Sequence, residues 1–359
     1  MKINLCRAGA MLAVVFFATA FAVADEDGRS VYVLTSTNNA SANYVVVFKL
    51  NTGGTPSLSL VDMLATGGKG GASTNAGILQ FRDDRGAVAN HGSNSVTQLV
   101  RDDDIISIGR TINLAPGCAN PDSVALTKEH LFVVGTTCAE SHAWPSGHVD
   151  GTVVSLTDST AAQIAVGRSW AAVTLADPTT PPGSVLQLWL TQDGALSGTS
   201  NNVTLPANTN LVPLGEAFWG NVLGFTPAHS PDSFAIVAEN GNVFPIVGPT
   251  PPYPSNAPCW VAKGPGNVWY TGNSPGLAIS IFLADSHGGV FYKSIPLPDS
   301  GSPTDITVSR DGKWLAVIYT AGGEGYVAVY SVDAYGDLTY VASSPSVSVA
   351  AFNGVAISQ

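Results

Sequence analysis

The chain has 359 residues and a formal charge of −11, yet only 11% of its residues are charged, so its polar surface rests on Ser, Thr, Asn and Gly. A mildly acidic surface without basic clusters repels nucleic-acid phosphates and anionic lipid, which argues against nucleic-acid and membrane-surface roles. With 38 glycines and 23 prolines punctuating Val-, Thr-, Tyr- and Trp-rich runs, the composition describes short strands and many turns.

Met1 to Ala24 places Lys2 and Arg7 ahead of an apolar stretch, Ala8 to Val23, and an Ala22-Val23-Ala24 step before Asp25-Glu26-Asp27. That is the layout of a cleaved signal peptide, and the apolar run is shorter than the roughly 20 residues a spanning helix needs. Residues 1–24 are therefore read as the leader and 25–359 as one secreted, monomeric domain.

Beyond the leader, strand patterns recur at intervals of about 46 residues, a period expected of propeller blades. Arg82-Asp83 and Arg310-Asp311 mark equivalent turns 228 residues apart, and Gly266 precedes Gly312 by 46. Inner strands are expected at Gly77–Phe81, Ser123–Leu126, Trp170–Leu175, Val222–Thr226, Trp260–Lys263 and Asp305–Ser309. The last unit is the clearest: an inner strand from Thr304, a turn at Arg310-Asp311-Gly312-Lys313, then strands Trp314–Tyr319, Tyr326–Val332 and Leu338–Ser343. Asn353–Ser358 has no second strand after it and Val31–Thr35 has no inner strand before it, so the two ends should share one blade. The fold class is all-β: a seven-bladed β-propeller of mostly four-stranded antiparallel blades, its ring closed by the C-terminal strand pairing with the N-terminal blade. Pro178 to Pro182 and Pro249 to Pro254 read as inter-strand loops, because proline cannot donate to a ladder.

Cys118 lies just before an inner strand and Cys138 just after its antiparallel partner, so a Cys118–Cys138 disulfide is expected. Cys259 reads as a small buried side chain. Asn39-Ala40-Ser41 and Asn202-Val203-Thr204 match the glycosylation acceptor pattern and fall in expected loops.

The rim where inner strands begin, with the loops joining second to third strands, surrounds one mouth of the channel and is where a site would gather. His91 is the candidate general base there, and His142 a second proton carrier. Arg168 is expected at the same mouth, its guanidinium clamping a carboxylate or an oxyanion; a surface ion pair is the alternative. Arg82, Arg85 and Arg310 are expected at the opposite end. Asn90, Asp122, Glu239, Trp170, Trp260 and Asp305 are the candidate substrate contacts, the tryptophans as core rings or sugar-stacking faces and Asn90 alternatively as a loop cap. Glu140, His142, His148 and Asp150 offer four ligand types within one loop, but their spacing matches no established metal signature, so no cofactor is expected and a divalent ion is the weaker alternative. Gly-x-Ser-x-Gly and His-Glu-x-x-His motifs are absent from the sequence.

Asn90-His91-Gly92-Ser93-Asn94-Ser95-Val96, Pro258-Cys259-Trp260-Val261 and Gly301-Ser302-Pro303-Thr304-Asp305-Ile306 with Arg310-Asp311-Gly312-Lys313 resemble the secreted lactonase-like seven-bladed propellers, a family related to 6-phosphogluconolactonase and the fungal carboxymuconate cyclase. The resemblance implies opening or closing of a lactone, in the cyclases without a metal, by a histidine in a Pro-His pair with arginines and a glutamate nearby. This chain reads Pro121-Asp122, Pro258-Cys259 and Pro303-Thr304 at the matching places, so the family's histidine has no counterpart there. Two readings follow: a lactonase-like enzyme acting on a small carboxylated or sugar lactone, or a non-catalytic propeller binding glycan or protein in a cell-wall or host-interaction role.

Overall fold

The computed structural model describes residues 29–73, 76–157, 159–177, 183–206, 212–228, 233–247, 258–274, 276–347 and 352–359. The leader, residues 1–24, and the two proline runs, 178–182 and 249–254, lie outside them. Seven four-stranded antiparallel sheets form the blades. The second holds β4 (Leu79–Arg82), β5 (Arg85–Asn90), β6 (Ser95–Asp102) and β7 (Ile105–Asn113), and the third β8 (Pro121–Leu126), β9 (His130–Gly135), β10 (Cys138–Ala143) and the short β11 (Val154–Ser155). The fourth runs β12 (Ala161–Val166), β13 (Trp170–Leu175), β14 (Ser184–Leu190), β15 (Leu196–Val203); the fifth β16 (Val212–Trp219), β17 (Val222–Ala228), β18 (Ser233–Val237), β19 (Val243–Val247). The sixth is β20 (Pro258–Lys263), β21 (Val268–Asn273), β22 (Ala278–Asp285), β23 (Gly288–Pro296), and the seventh β24 (Ser302–Val308), β25 (Trp314–Ala321), β26 (Glu324–Val332), β27 (Leu338–Ser343). The first blade joins β1 (Val31–Ser36), β2 (Tyr44–Asn51) and β3 (Ser57–Ala65) to the last strand, β28 (Asn353–Ser358).

That last pairing closes the ring: Tyr32 lies opposite Ser358 and Leu34 opposite Ala356. The inner strands β28, β4, β8, β12, β16, β20 and β24 then each pack against the next around the axis. Second strands are covered on both faces and so read as continuous apolar runs, such as Trp314 to Tyr319, whereas outer strands such as β3 and β23 leave most residues to solvent. Large rings fill the seams between blades, as where Phe234 of the fifth meets Trp269 of the sixth at 5.4 Å between centroids.

The expected inner strands hold in five blades and shift in two. Trp170–Leu175 and Val222–Thr226 lie in β13 and β17, the second strands of their blades, and β12 and β16 are the inner ones. Ala161-Ala162-Gln163 and Gly215-Glu216 are small or polar where they crowd the axis, so the stronger apolar signal belonged to the strand outside them. Asn202 likewise sits in outer strand β15 and not in a loop, while Asn39 lies in the β1–β2 loop.

Most inner strands carry a bulge near their start, two residues opposing one on the second strand. It falls at Asp122, Ala162, Leu214-Gly215, Cys259, Thr304 and Gly354. The glycine is required at 354: its φ is +80°, and a Cβ there would meet Leu79 N at 2.7 Å.

Cys118 and Cys138 form the expected disulfide, with Cα atoms 5.4 Å apart and 20 residues of separation. It pins the β7–β8 loop to the start of β10, beside the rim. Replacing both cysteines by serine is expected to lower unfolding free energy by about 3 kcal/mol, as closure of a loop this size predicts; an unchanged denaturant midpoint would refute it. Cys259 is only partly covered, and burial pushes its thiol up to about 11, so it remains a thiol near neutral pH.

Candidate functional site

Inner strands begin, and second-to-third-strand turns lie, at one end of the ring, here the rim. The turn after β5 therefore sets His91 over the start of β8, where the bulge turns out Asp122. His91 Nδ1 lies 2.9 Å from Asp122 Oδ1. The carboxylate is 5% exposed and the imidazole 22%, so the acid is anchored while the ring reaches solvent. An ionised carboxylate only accepts, which puts the proton on Nδ1 and leaves Nε2 as the basic nitrogen; among the described residues Nε2 has no hydrogen-bond partner.

The loops around the pair hold its backbone. Asn120 Nδ2 donates to His91 O, and Asn120 N donates to Asn94 Oδ1 at 2.8 Å. The glycine-rich turn after β3 crosses beside them: Gly92 N donates to Lys69 O at 3.0 Å and Lys69 N to Ser93 Oγ at 2.8 Å. This leaves the exposed Lys69 as a cation on the same rim, though nothing in its sequence surroundings marked it.

Asn90 lies next to His91 but is fully buried and saturated. Its Oδ1 accepts from Asn43 and Thr66, and its Nδ2 donates to Thr97 and Ser95. It ties the first two blades together and is not presented to a ligand.

One residue further along the inner strands lies a buried polar layer. Asp305 Oδ2 accepts from Val355 N at 3.2 Å and Gly77 N at 3.4 Å, and its Oδ1 from Ile306 N at 2.8 Å. Burial outweighs these three bonds and pushes Asp305 up to about 7. The Gln163 amide bridges both backbone groups of Glu216, accepting from its N–H at 2.7 Å and donating to its carbonyl at 2.9 Å. The Glu216 carboxyl is fully buried, and burial holds it well above the usual carboxylate range. Trp260, 4% exposed, joins the core cluster that contains Ala76 and Ile306. Asp305 and Trp260 are thus buried and are not open contacts.

The strand shift in the fourth and fifth blades relocates three expected rim residues. Arg168 falls in the β12–β13 turn at the opposite end, its N–H donating to Gly220 O and Asn221 Oδ1. Glu239 is at that end too, holding Ser169 Oγ at 2.5 Å and Asn221 Nδ2 at 3.2 Å. Trp170 is wholly buried, edge-on to Phe218 with centroids 4.6 Å apart. His142 is buried with both ring nitrogens engaged, Nε2 with Glu140 Oε1 at 2.9 Å and Nδ1 with Gly147 O at 3.1 Å.

The candidate metal ligands separate. Glu140 and His142 are paired inside the blade, Asp150 binds His130 Nδ1 at 2.7 Å, and His148 is exposed. Among the described residues the close ligand-type group is Cys118, Cys138 and Glu140, whose sulfurs are consumed by the disulfide.

No protein-family model matches the sequence, and no curated protein matches it either. Solved structures do. A protein from Lactobacillus plantarum superposes with a TM-score of 0.64 at 13% identity, covering 92% of this chain and 100% of its own. A 6-phosphogluconolactonase-like protein from Bacteroides fragilis gives 0.63 at 12% identity over 94% and 100%. Virginiamycin B lyase from Staphylococcus aureus gives 0.54 at 12% identity over 80% and 94%. At such identities the likeness is one of architecture, and the chain has the seven-bladed propeller fold that lactonase-like and lyase propellers share.

Proposed function

We propose that this is a secreted lactonase-like propeller that opens or closes a small carboxylated or sugar lactone at the rim, with His91 as general base and Asp122 as its orienting acid. The observation that carries the reading is the 2.9 Å contact between a partly exposed imidazole and an anchored carboxylate at the channel mouth. In the opening direction His91 Nε2 takes a proton from water as the water oxygen adds to the lactone carbonyl. Asp122 offsets the charge of the imidazolium, and the proton passes to the ring oxygen as the acyl C–O bond breaks, leaving a hydroxy acid. Lys69 supplies charge for a substrate carboxylate or the developing oxyanion. The scheme calls on no cofactor. The same base taking a carbon-bound proton while the alkoxyl C–O bond of the ester at the adjacent carbon breaks would form a C=C bond and release the carboxylate, a lyase reaction.

Positioned general bases contribute about 10²–10⁴-fold, so His91→Ala is expected to lower kcat by about 10²-fold or more, with Asp122→Asn shifting the pH profile. Acid release at constant pH from a lactone panel measures this. Full turnover by the His91→Ala protein, or none by folded wild type on every lactone, would overturn the reading. The second reading, a non-catalytic glycan or protein binder, draws on the exposed neutral-polar rim at Asn39, Ser41, Ser93 and Asn94.

A further inference from the structure

The end of the channel away from His91 is hollow. A cavity of about 470 Å³ there is lined by Phe81, Asp83, Asp84, Arg310 and Ile357 among others. It shares Phe81, Arg310 and Ile357 with a smaller space of about 140 Å³, whose walls add Arg82, Leu126 and Val308.

Arg82 is unlike the other charges at this end. Asp84 pairs with Arg29 at 2.8 Å, and Asp83 pairs with Arg310. Arg82 Nε is buried with no hydrogen-bond partner, and the residue forms no ion pair among the described residues. A buried unsatisfied donor on a charged group is costly, and an entering acceptor would remove that cost. Burial, and then the neighbouring Arg310 charge, hold the Arg82 guanidinium below its usual basicity, as expected of a cation lacking a counter-ion.

We infer that this cavity is a binding site for a small monocarboxylate with an apolar body, the carboxylate seated on Arg82 and the hydrocarbon against Phe81, Leu126, Val308 and Ile357. The planar guanidinium matches a carboxylate through two parallel N–H donors, and the apolar wall favours an aromatic or short aliphatic acid. Asp83, Asp84 and Asp311 at the mouth disfavour a dianion, so inorganic phosphate fits less well. None of the residues lining these two spaces belongs to the His91–Asp122 pair, and the inference does not rest on the lactone reading.

Benzoate and hexanoate are the probes, with benzamide and inorganic phosphate as contrasts, titrated calorimetrically and by ¹⁵N-resolved NMR of the arginine Nε–H groups. Benzoate is expected to bind the wild-type protein, to shift the Arg82 Nε–H resonance, and to bind Arg82→Met about tenfold or more weaker, the loss expected for a charged hydrogen bond. Arg82→Lys retains the charge without the fork and should fall between the two. The inference is overturned if neither acid binds, if benzamide binds as well as benzoate, or if the Arg82 Nε–H resonance stays in place while benzoate binds. The NMR shift is read on unaltered protein, so a poorly folding variant does not decide the outcome.

Discussion

A chain ending before Phe352 is expected to lose cooperative unfolding altogether. β28 supplies the inner strand of the first blade, and its loss exposes the edge of β1 and leaves the first blade with three strands. Phe352, Val355 and Ile357 are at most 8% exposed. At about 1.5–3 kcal/mol for each buried side chain, their removal alone approaches the roughly 5–15 kcal/mol of a typical domain. Polar ties go with them: Thr35 Oγ1 to Gly354 O, Asn353 Nδ2 to Ser73 O, Val355 N to Asp305, and Arg101 Nη1 to Ser358 Oγ. The segment thus fastens the first, second and seventh blades. Denaturant titration followed by near-ultraviolet circular dichroism should show no sigmoidal transition for the truncated chain. A peptide of residues 352–359 added in trans should restore one. A truncated protein with the wild-type midpoint would show that the ring does not depend on this strand.

The second large effect concerns pH. Asp305 rises from an ordinary 3.8 to about 7 through burial, with no charged neighbour contributing. Between those values the folded protein keeps a proton that the unfolded chain has released. The contribution is therefore fully present below about pH 4 and is lost as pH rises towards 7, the reverse of a salt-bridged aspartate. At about 1.4 kcal/mol per pKa unit the loss is on the order of 4 kcal/mol. Glu216, also raised by burial, acts in the same sense. The wild type should be more stable at pH 5 than at pH 8 relative to Asp305→Asn, in which most of that difference disappears even if one hydrogen bond is lost at both pH values. Equal pH dependence in the two proteins would mean that Asp305 is ionised in the folded state throughout.

The seventh blade was legible because its inner and second strands meet at an Asp-Gly turn and each strand is long enough to show its period, as β24 to β27 confirm. Closure of the ring by Asn353–Ser358 followed from counting, since one end lacked a strand that the other had in excess. The fourth and fifth blades misled the reading because side chains nearest the axis must be small or polar there, and hydrophobic patterning then favours the strand outside. That single-strand slip carried Arg168, Trp170 and Glu239 from one end of the channel to the other or into the core. His91 and Asp122 were each legible as rim residues, but their contact joins positions 31 apart in neighbouring blades, which no local spacing announces. Glu216 gave no signal, since only the closed ring buries it.

The repeated bulge bears on how a ligand would be oriented. Blades of one shape around an axis form a frame in which any direction in the plane is nearly equivalent to several others. A molecule centred on it would find no preferred heading. The displaced residues differ in what they offer: Ala162, Leu214-Gly215, Thr304 and Gly354 are uncharged, and the Cys259 thiol is pushed up to about 11. Asp122 alone among these described positions is a carboxylate, and it has drawn His91 to it. One substitution on a symmetric scaffold thus gives the rim a compass bearing, and nothing in the backbone of the other blades has to change for it.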